Sequence, residues 1–283
     1  MPEGPEVKRV ATGLNDVITG LTITGAEIIS GRYTRVGEAL GLSALVGCTV
    51  TGVRCKGKLI VFDFISGAGN KFSALSTLGM TGFWTPDSRF KYKRLEFKFS
   101  DGSQVGYHDP RNFGTFKIVS TEQAQKKLNE LGPDILDVQL SNRTELLKQF
   151  ISRIERYGKN HTLATALLDQ RIAAGSGNYI RADAMYLAEL SPHLEVHTLD
   201  HDRLKRVWTA LTEIGEAVEL NRYPRLFLLG VSNRLAELSQ RVPVFDEYQH
   251  LVYYQQTSPF GTPVTSYRDK NKRTVWYAPE EQR

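Results

Sequence analysis

Between residues 21 and 119 the chain consists of short β-rich runs, and beyond residue 121 it consists of helical ones. That change of period limits the fold more than any other feature. Leu21–Ile29, Leu59–Phe64, Leu95–Phe99 and Gly114–Val119 are separated by Gly, Ser, Asp and Asn, a spacing that suits an all-β sandwich or barrel. Ahead of them Val7, Val10, Ala11, Leu14, Val17 and Ile18 recur at helical intervals, which predicts an N-terminal helix with one buried face. A helical stretch over Glu122–Leu131 runs into Gly132-Pro133-Asp134, a breaker that ends an interdomain connection. Helical patterns follow at Glu145–Ile154, Thr162–Leu168, Tyr179–Leu190 and Asp202–Val218. The last stretch turns back to β-rich text, Leu251–Tyr254, Val264–Tyr267 and Thr274–Tyr277, which reads as a terminal hairpin. The expected fold is α+β and multidomain: an N-terminal helix plus β-sandwich over residues 1–119, a connection over 120–138, a helical domain over 139–249 and a β-hairpin over 250–283. A length of 283 residues allows two cores.

The chain opens Met1-Pro2-Glu3-Gly4-Pro5-Glu6. With Met1 removed, Pro2 becomes the N-terminus and its nitrogen a free secondary amine, which no internal proline can offer. An α-amino group titrates near roughly 7.7–8, against roughly 10.4 for lysine, so part of it is unprotonated near neutral pH. Such an amine attacks carbonyl carbons and forms Schiff bases. Glu3 places a carboxyl beside it for proton transfer. Taken alone, a proline after the start methionine is more often without chemistry, so the rest of the chain has to decide.

Charge points to a polyanionic partner. The net charge is +5, and all of that excess falls within residues 1–120, the remainder summing to zero. A tight basic cluster, Arg268, Lys270, Lys272 and Arg273, recurs near the end. A basic surface suits nucleic acid, although basic balance alone is common. Two cysteines, Cys48 and Cys55, are too few for a disulfide scaffold or a four-thiolate zinc site, and the six histidines show no H-E-x-x-H spacing. No metal or other cofactor is expected. No apolar run approaches the ~20 residues that span a membrane, and the acidic, proline-bearing start does not have the form of a signal or transit peptide. The expectation is a monomer without membrane contact, intracellular, in nucleus or cytoplasm according to the host.

Further motifs converge. Lys56-Gly57-Lys58-Leu59, Leu78-Gly79-Met80-Thr81-Gly82, His108-Asp109-Pro110-Arg111-Asn112-Phe113-Gly114, Leu131-Gly132-Pro133-Asp134, Leu167-Leu168-Asp169-Gln170 and Gly175-Ser176-Gly177-Asn178-Tyr179 follow the opening motif in order. Each is weak alone. Together they make the chain resemble the Fpg/Nei family of bifunctional DNA glycosylases along nearly its whole length. The resemblance implies that the Pro2 amine attacks C1′ of a damaged nucleotide, displaces the base and leaves an iminium, after which β- and then δ-elimination can break the strand. It makes Glu3 the general acid/base, Lys58 a catalytic lysine at phosphate, and Glu6 a support for the N-terminus or a helix cap. Lys56 is the internal rival of Lys58. An enzyme that acts on a base must take it out of the stack. Met80, Arg111 and Phe113 match the family's void-filling side chains, an apolar wedge and ring in place of stacking and a guanidinium for the orphaned base. Asn112 stands where a second Arg is often found. The stretch Gly175–Asn178 resembles the turn of a helix–two-turn–helix motif, with Asn178 directed at phosphate.

The departure lies at the end. Most of the family close with a four-cysteine zinc finger, whereas here Gly261-Thr262-Pro263-Val264 and Arg273-Thr274-Val275-Trp276-Tyr277-Ala278-Pro279 keep the hairpin text with Ala278 in a cysteine's place. The resemblance is to the zincless-finger variant, a hairpin held by packing that includes Trp276 and Tyr277, with Arg273 both gripping phosphate and serving catalysis. The implied partner is double-stranded DNA carrying oxidised bases or abasic sites. The lesion leans towards oxidised pyrimidines and hydantoins, with 8-oxoguanine the alternative. The stretch from Asn221 to Val244, including Tyr223, Arg225 and Phe227, falls where the family has its base-covering loop. Two other readings compete. A non-catalytic binder of damaged or abasic DNA would have little need of Pro2, Glu3 and Lys58 together, and an unrelated N-terminal-proline enzyme such as a tautomerase explains Pro2 only.

Overall fold

The computed structural model describes residues 1–86, 89–139, 141–222, 224 and 247–283. They form two compact units, Met1–Pro2 with Glu6–Glu130, and Glu3–Pro5 with Leu131–Arg283.

In the first unit, α1 (Gly4–Ile18) buries Val7, Ala11, Leu14 and Ile18, the single stripe its spacing predicts. One four-stranded antiparallel sheet takes the order β1 (Ile23–Ile28), β6 (Lys93–Phe99), β7 (Gln104–His108), β5 (Phe83–Thr85). The other runs β2 (Thr49–Lys56), β3 (Leu59–Ile65), β4 (Lys71–Thr77), β8 (Thr115–Ser120). The two sheets share an aromatic core. Trp84 of β5 lies 5.2 Å from Phe62 of β3 and 5.9 Å from Phe116 of β8, ring centre to ring centre, and Phe97 of β6 lies 5.6 Å from Phe116. Each buried ring contributes about 1.5–3 kcal/mol, enough to hold two sheets face to face as a sandwich. A short helix α2 (Tyr33–Val36) and the helix α3 (Thr121–Glu130) complete this unit.

In the second unit, α4 (Arg143–Gly158), α5 (Leu163–Ala166), α6 (Asn178–Leu187) and α7 (His201–Glu219) bury a helical core in which Phe150 stacks on Trp208 at 5.1 Å. The hairpin of β9 (Thr265–Arg268) and β10 (Thr274–Tyr277) pairs antiparallel from Thr274↔Arg268 to Tyr277↔Thr265, and its Val275 and Ala278 are fully buried in the same core. Leu251–Tyr254 departs from the sequence expectation: it is a turn and not a strand. Leu251 and Val252 are core residues, but the Val252 and Tyr253 amides donate to the Asp183 carboxylate at 2.9 and 3.1 Å. Donors already satisfied by a buried side chain have no need of a ladder partner.

Candidate active site and nucleic-acid interface

In the second unit the chemistry collects at the start of α6. Thr162 caps the short α5 through a bond from the Thr165 amide, and the chain then turns twice before α6. Gln170 buckles those turns: its amide nitrogen donates to the Ser176 carbonyl at 2.8 Å, and its oxygen accepts the Gly175 amide at 3.0 Å. This holds Gly175-Ser176-Gly177 with its amides leading into α6. Glu3 sits on that helix end. It is 1% exposed, and its two carboxylate oxygens accept the Tyr179 and Ile180 amides at 3.1 and 3.3 Å. A buried carboxylate is costly unless hydrogen-bonded, and a helix N-terminus supplies both the amides and a favourable dipole. Gly177 is required here, because a side chain at that position would collide with the Glu3 carboxyl. The Gly4 amide adds a bond to the Gly175 carbonyl at 2.9 Å. Pro2, half-buried, is the next residue back along the chain. Glu6 lies in the first turn of α1 and pairs with Arg9 at 3.3 Å.

Asn178, half-buried, is the first residue of α6, and its amide nitrogen donates to the Thr274 carbonyl at 2.9 Å. The structure therefore brings Asn178 and the Arg273 hairpin together, with the Arg273 side chain exposed. Trp276 lies 4.7 Å from Tyr254, and Tyr277 lies 5.2 Å from His193, ring centre to ring centre. Among the described residues no group of three His, Cys, Asp or Glu is placed to hold a metal ion.

In the first unit two loops of candidate residues are fastened side by side. Met80 and Arg111-Asn112-Phe113 sit on neighbouring loops because Gly79, at φ +62°, leaves its Cβ position only 2.7 Å from the Gly114 amide. Asp109, 1% exposed, is the fastener: its carboxylate accepts the Thr81 hydroxyl from one loop and the Gly114 amide from the other, both at 2.8 Å. The Arg111 amide donates to the Thr81 hydroxyl at 3.2 Å. The results are a half-buried Met80, a Phe113 ring 57% exposed, and the Arg111 guanidinium 5.6 Å from that ring's centre. An exposed ring held by a rigid loop is not core packing. Asn112 takes φ +59°, a conformation that Asn adopts more readily than Arg. Tyr33 donates to the Gly114 carbonyl at 3.1 Å, and burial pushes its hydroxyl up to about 12, so it remains a donor at any physiological pH. Lys58 is half-buried in the turn between β2 and β3. Its rival Lys56 donates to the Leu128 carbonyl at 3.1 Å, at the end of α3, which is a structural use.

Of the stretch read as a base-covering loop, only Asn221, Arg222 and Pro224 are described, and Tyr223, Arg225 and Phe227 lie outside the described residues. Sequence reasoning passed over Asp109, Gln170, Arg181 and Asp183 as site-builders. The first two stand inside motifs that were noted, and the last two look like ordinary polar positions on a helix.

A family model for the formamidopyrimidine-DNA glycosylase N-terminal domain matches residues 1–116. A formamidopyrimidine-DNA glycosylase of Streptococcus thermophilus is 30% identical over 215 residues, covering 73% of this chain and 74% of that protein. One from Bdellovibrio bacteriovorus is 30% identical over 207 residues, 72% of each. Among solved structures, Lactococcus lactis formamidopyrimidine-DNA glycosylase bound to abasic-site DNA superposes with a TM-score of 0.75 at 24% identity over 99% of both chains. The same enzyme with DNA containing N7-benzyl-Fapy-dG gives 0.75 at 25% identity over the whole of both. The class that the fold and these relatives define is that of DNA glycosylases. Within it, this chain belongs to the formamidopyrimidine-DNA glycosylase family, Fpg/Nei.

Proposed function

We propose that this protein is a DNA glycosylase of base excision repair with AP lyase activity, acting on double-stranded DNA that carries oxidised bases or abasic sites. The observation that carries the reading is the Glu3 carboxylate, shut from solvent and fixed by two amides of α6 one residue from Pro2. A general acid/base must be held in place at the reacting centre. In this reading the Pro2 amine displaces the base and forms the iminium. Glu3 protonates the opening sugar. Lys58 stabilises charge at phosphate, a choice favoured by the bond that Lys56 makes to Leu128. Met80, Arg111 and Phe113 fill the space left in the duplex, while Asn178 and Arg273 grip its backbone. The lesion leans towards oxidised pyrimidines and hydantoins. No helix among the described residues is long and apolar enough to cross a membrane.

Borohydride trapping on an oligonucleotide with one abasic site is expected to give a covalent adduct that peptide mapping places on Pro2. Tight binding without an adduct, in a sample shown by N-terminal sequencing to lack Met1, would mean a binder instead of a lyase. The zincless reading of the hairpin is supported by the packing of Val275, Ala278 and the surrounding rings. Dialysis against a strong chelator is expected to leave melting temperature and activity unchanged, and stoichiometric zinc in the purified protein would overturn that assignment.

A further inference from the structure

Arg181, on α6, is a large charged side chain fully closed to solvent, at 0% exposure. A guanidinium has five N–H donors and no acceptor, so burying it requires acceptors on several sides. Nη1 donates to the Ala164 carbonyl at 2.5 Å and to Asp269 Oδ2 at 3.0 Å. Nε and Nη2 donate to the side-chain oxygen of Asn178 at 3.2 and 2.7 Å. Asp269, itself buried, uses its other oxygen to accept the Asn271 and Arg273 amides, both at 2.9 Å. The Asn178 amide nitrogen reaches back to the Thr274 carbonyl at 2.9 Å. A closed circuit results: Asn178 to Arg181, Arg181 to Asp269, Asp269 to the backbone of Arg273, and Thr274 back to Asn178.

The circuit fixes a choice that Asn178 could otherwise make either way. Arg181 only donates, so the Asn178 oxygen must face it. The amide NH2 then faces away from Arg181, donating to the Thr274 carbonyl and hydrogen-bonded also to the Tyr253 side chain. The same clip sets the turn that carries Arg273. We infer that Arg181 and Asp269 are positioning residues that hold Asn178 and the Arg273 turn as one phosphate-gripping unit; what that unit grips rests on the DNA-repair reading above. A structural role alone would show in stability only, since apolar side chains leave the Asn271 and Arg273 amides without their acceptor. A positioning role would also show in the affinity of the folded variant for DNA.

The test uses the full chain and a duplex carrying one tetrahydrofuran abasic analogue, with affinity read by fluorescence anisotropy at fixed salt. The Arg181→Met/Asp269→Leu double variant is expected to melt lower, because the Asn271 and Arg273 amides lose their acceptor, and, at a temperature where it is fully folded, to bind about 10–100-fold more weakly, the scale of losing charge-assisted contacts. Borohydride adduct formation at saturating abasic DNA is expected to fall by much less than the affinity does. Asn178→Ala is expected to weaken wild-type binding about tenfold, but to add under about threefold in the clipless background, because residues acting through one unit are not additive. A folded double variant that binds within twofold of wild type, or full additivity with Asn178→Ala, would overturn the inference. If the double variant does not fold, Arg181→Lys serves instead: it keeps the charge and a bond to Asp269 but cannot also span to Asn178, so the same binding loss and non-additivity are expected. Wild-type protein that binds the tetrahydrofuran duplex but gives no borohydride adduct with true abasic-site DNA sinks the lyase reading and leaves the clip tested by affinity. Failure of the wild type to bind any duplex overturns both.

Discussion

Glu3→Gln is expected to lower base excision by roughly 10²–10⁴-fold, the range that general acid–base catalysis contributes, while costing only about 1–2 kcal/mol of stability. The two effects separate because Glu3 serves two ends. As a cap, its oxygens accept the Tyr179 and Ile180 amides. The glutamine oxygen keeps one of these bonds and loses the other along with the charge–dipole attraction, each worth on the order of 0.5–1 kcal/mol. As a proton donor and acceptor, glutamine retains nothing. Single-turnover excision on a duplex with one oxidised base gives the first quantity and thermal denaturation the second. For a domain this size the expected melting shift is about 2–4 °C per kcal/mol. Excision within threefold of wild type would remove Glu3 from the chemistry and leave it as a helix cap. Loss of folding would mean that the charged cap matters more than α6 suggests.

How far the sequence could be read follows from where each residue's information lies. Pro2 and Glu3 stand out as candidates in the sequence because the proposed chemistry belongs to residue type and position: a secondary amine, once Met1 is removed, with a carboxyl beside it. The longer helices are legible because apolar spacing repeats over many residues, and the β-rich runs mark four of the eight sandwich strands, β1, β3, β6 and β8. β2 was harder, since Gly52 marks a register shift in its pairing with β3 and breaks the alternation. Leu251–Tyr254 was misread because four apolar residues in a row fit a strand, and only the fold shows a carboxylate on α6 taking their amides. Arg181 was invisible for a related reason. A lone arginine on a helix ordinarily faces solvent, and its burial depends on Asp269, 88 residues away. Met80, Arg111 and Phe113 were named through family likeness, whereas Asp109 and Thr81, which fasten their loops, carry no periodic signal at all.

Asp183→Ala is expected to destabilise the protein by about 3–5 kcal/mol, the largest stability loss of any single change considered. Asp183 is 0% exposed, and its carboxylate accepts four donors: the Val252 and Tyr253 amides at 2.9 and 3.1 Å, the Tyr248 hydroxyl at 2.7 Å and His250 Nδ1 at 3.0 Å. Burial, together with the Asp183 charge, pushes the Tyr248 hydroxyl well above its ordinary range, so it stays protonated and donating. Alanine leaves those donors without an acceptor. Each buried unsatisfied group costs about 1–3 kcal/mol, partly recovered where water reaches His250 and Tyr248, which are not fully buried. The Val252 amide has no such recourse, its residue being 0% exposed. Asp183→Asn, which keeps one acceptor oxygen, is expected to cost about half as much. Urea denaturation followed by intrinsic fluorescence measures both, with the midpoint falling and the slope unchanged. An alanine variant within 1 kcal/mol of wild type would mean that the Tyr248–Tyr253 segment is held by its apolar side chains alone. A loss of the expected size would mean that one buried carboxylate on α6 fixes the segment leading into the Arg273 hairpin, so that a single helix organises Glu3, Asn178 and the hairpin alike.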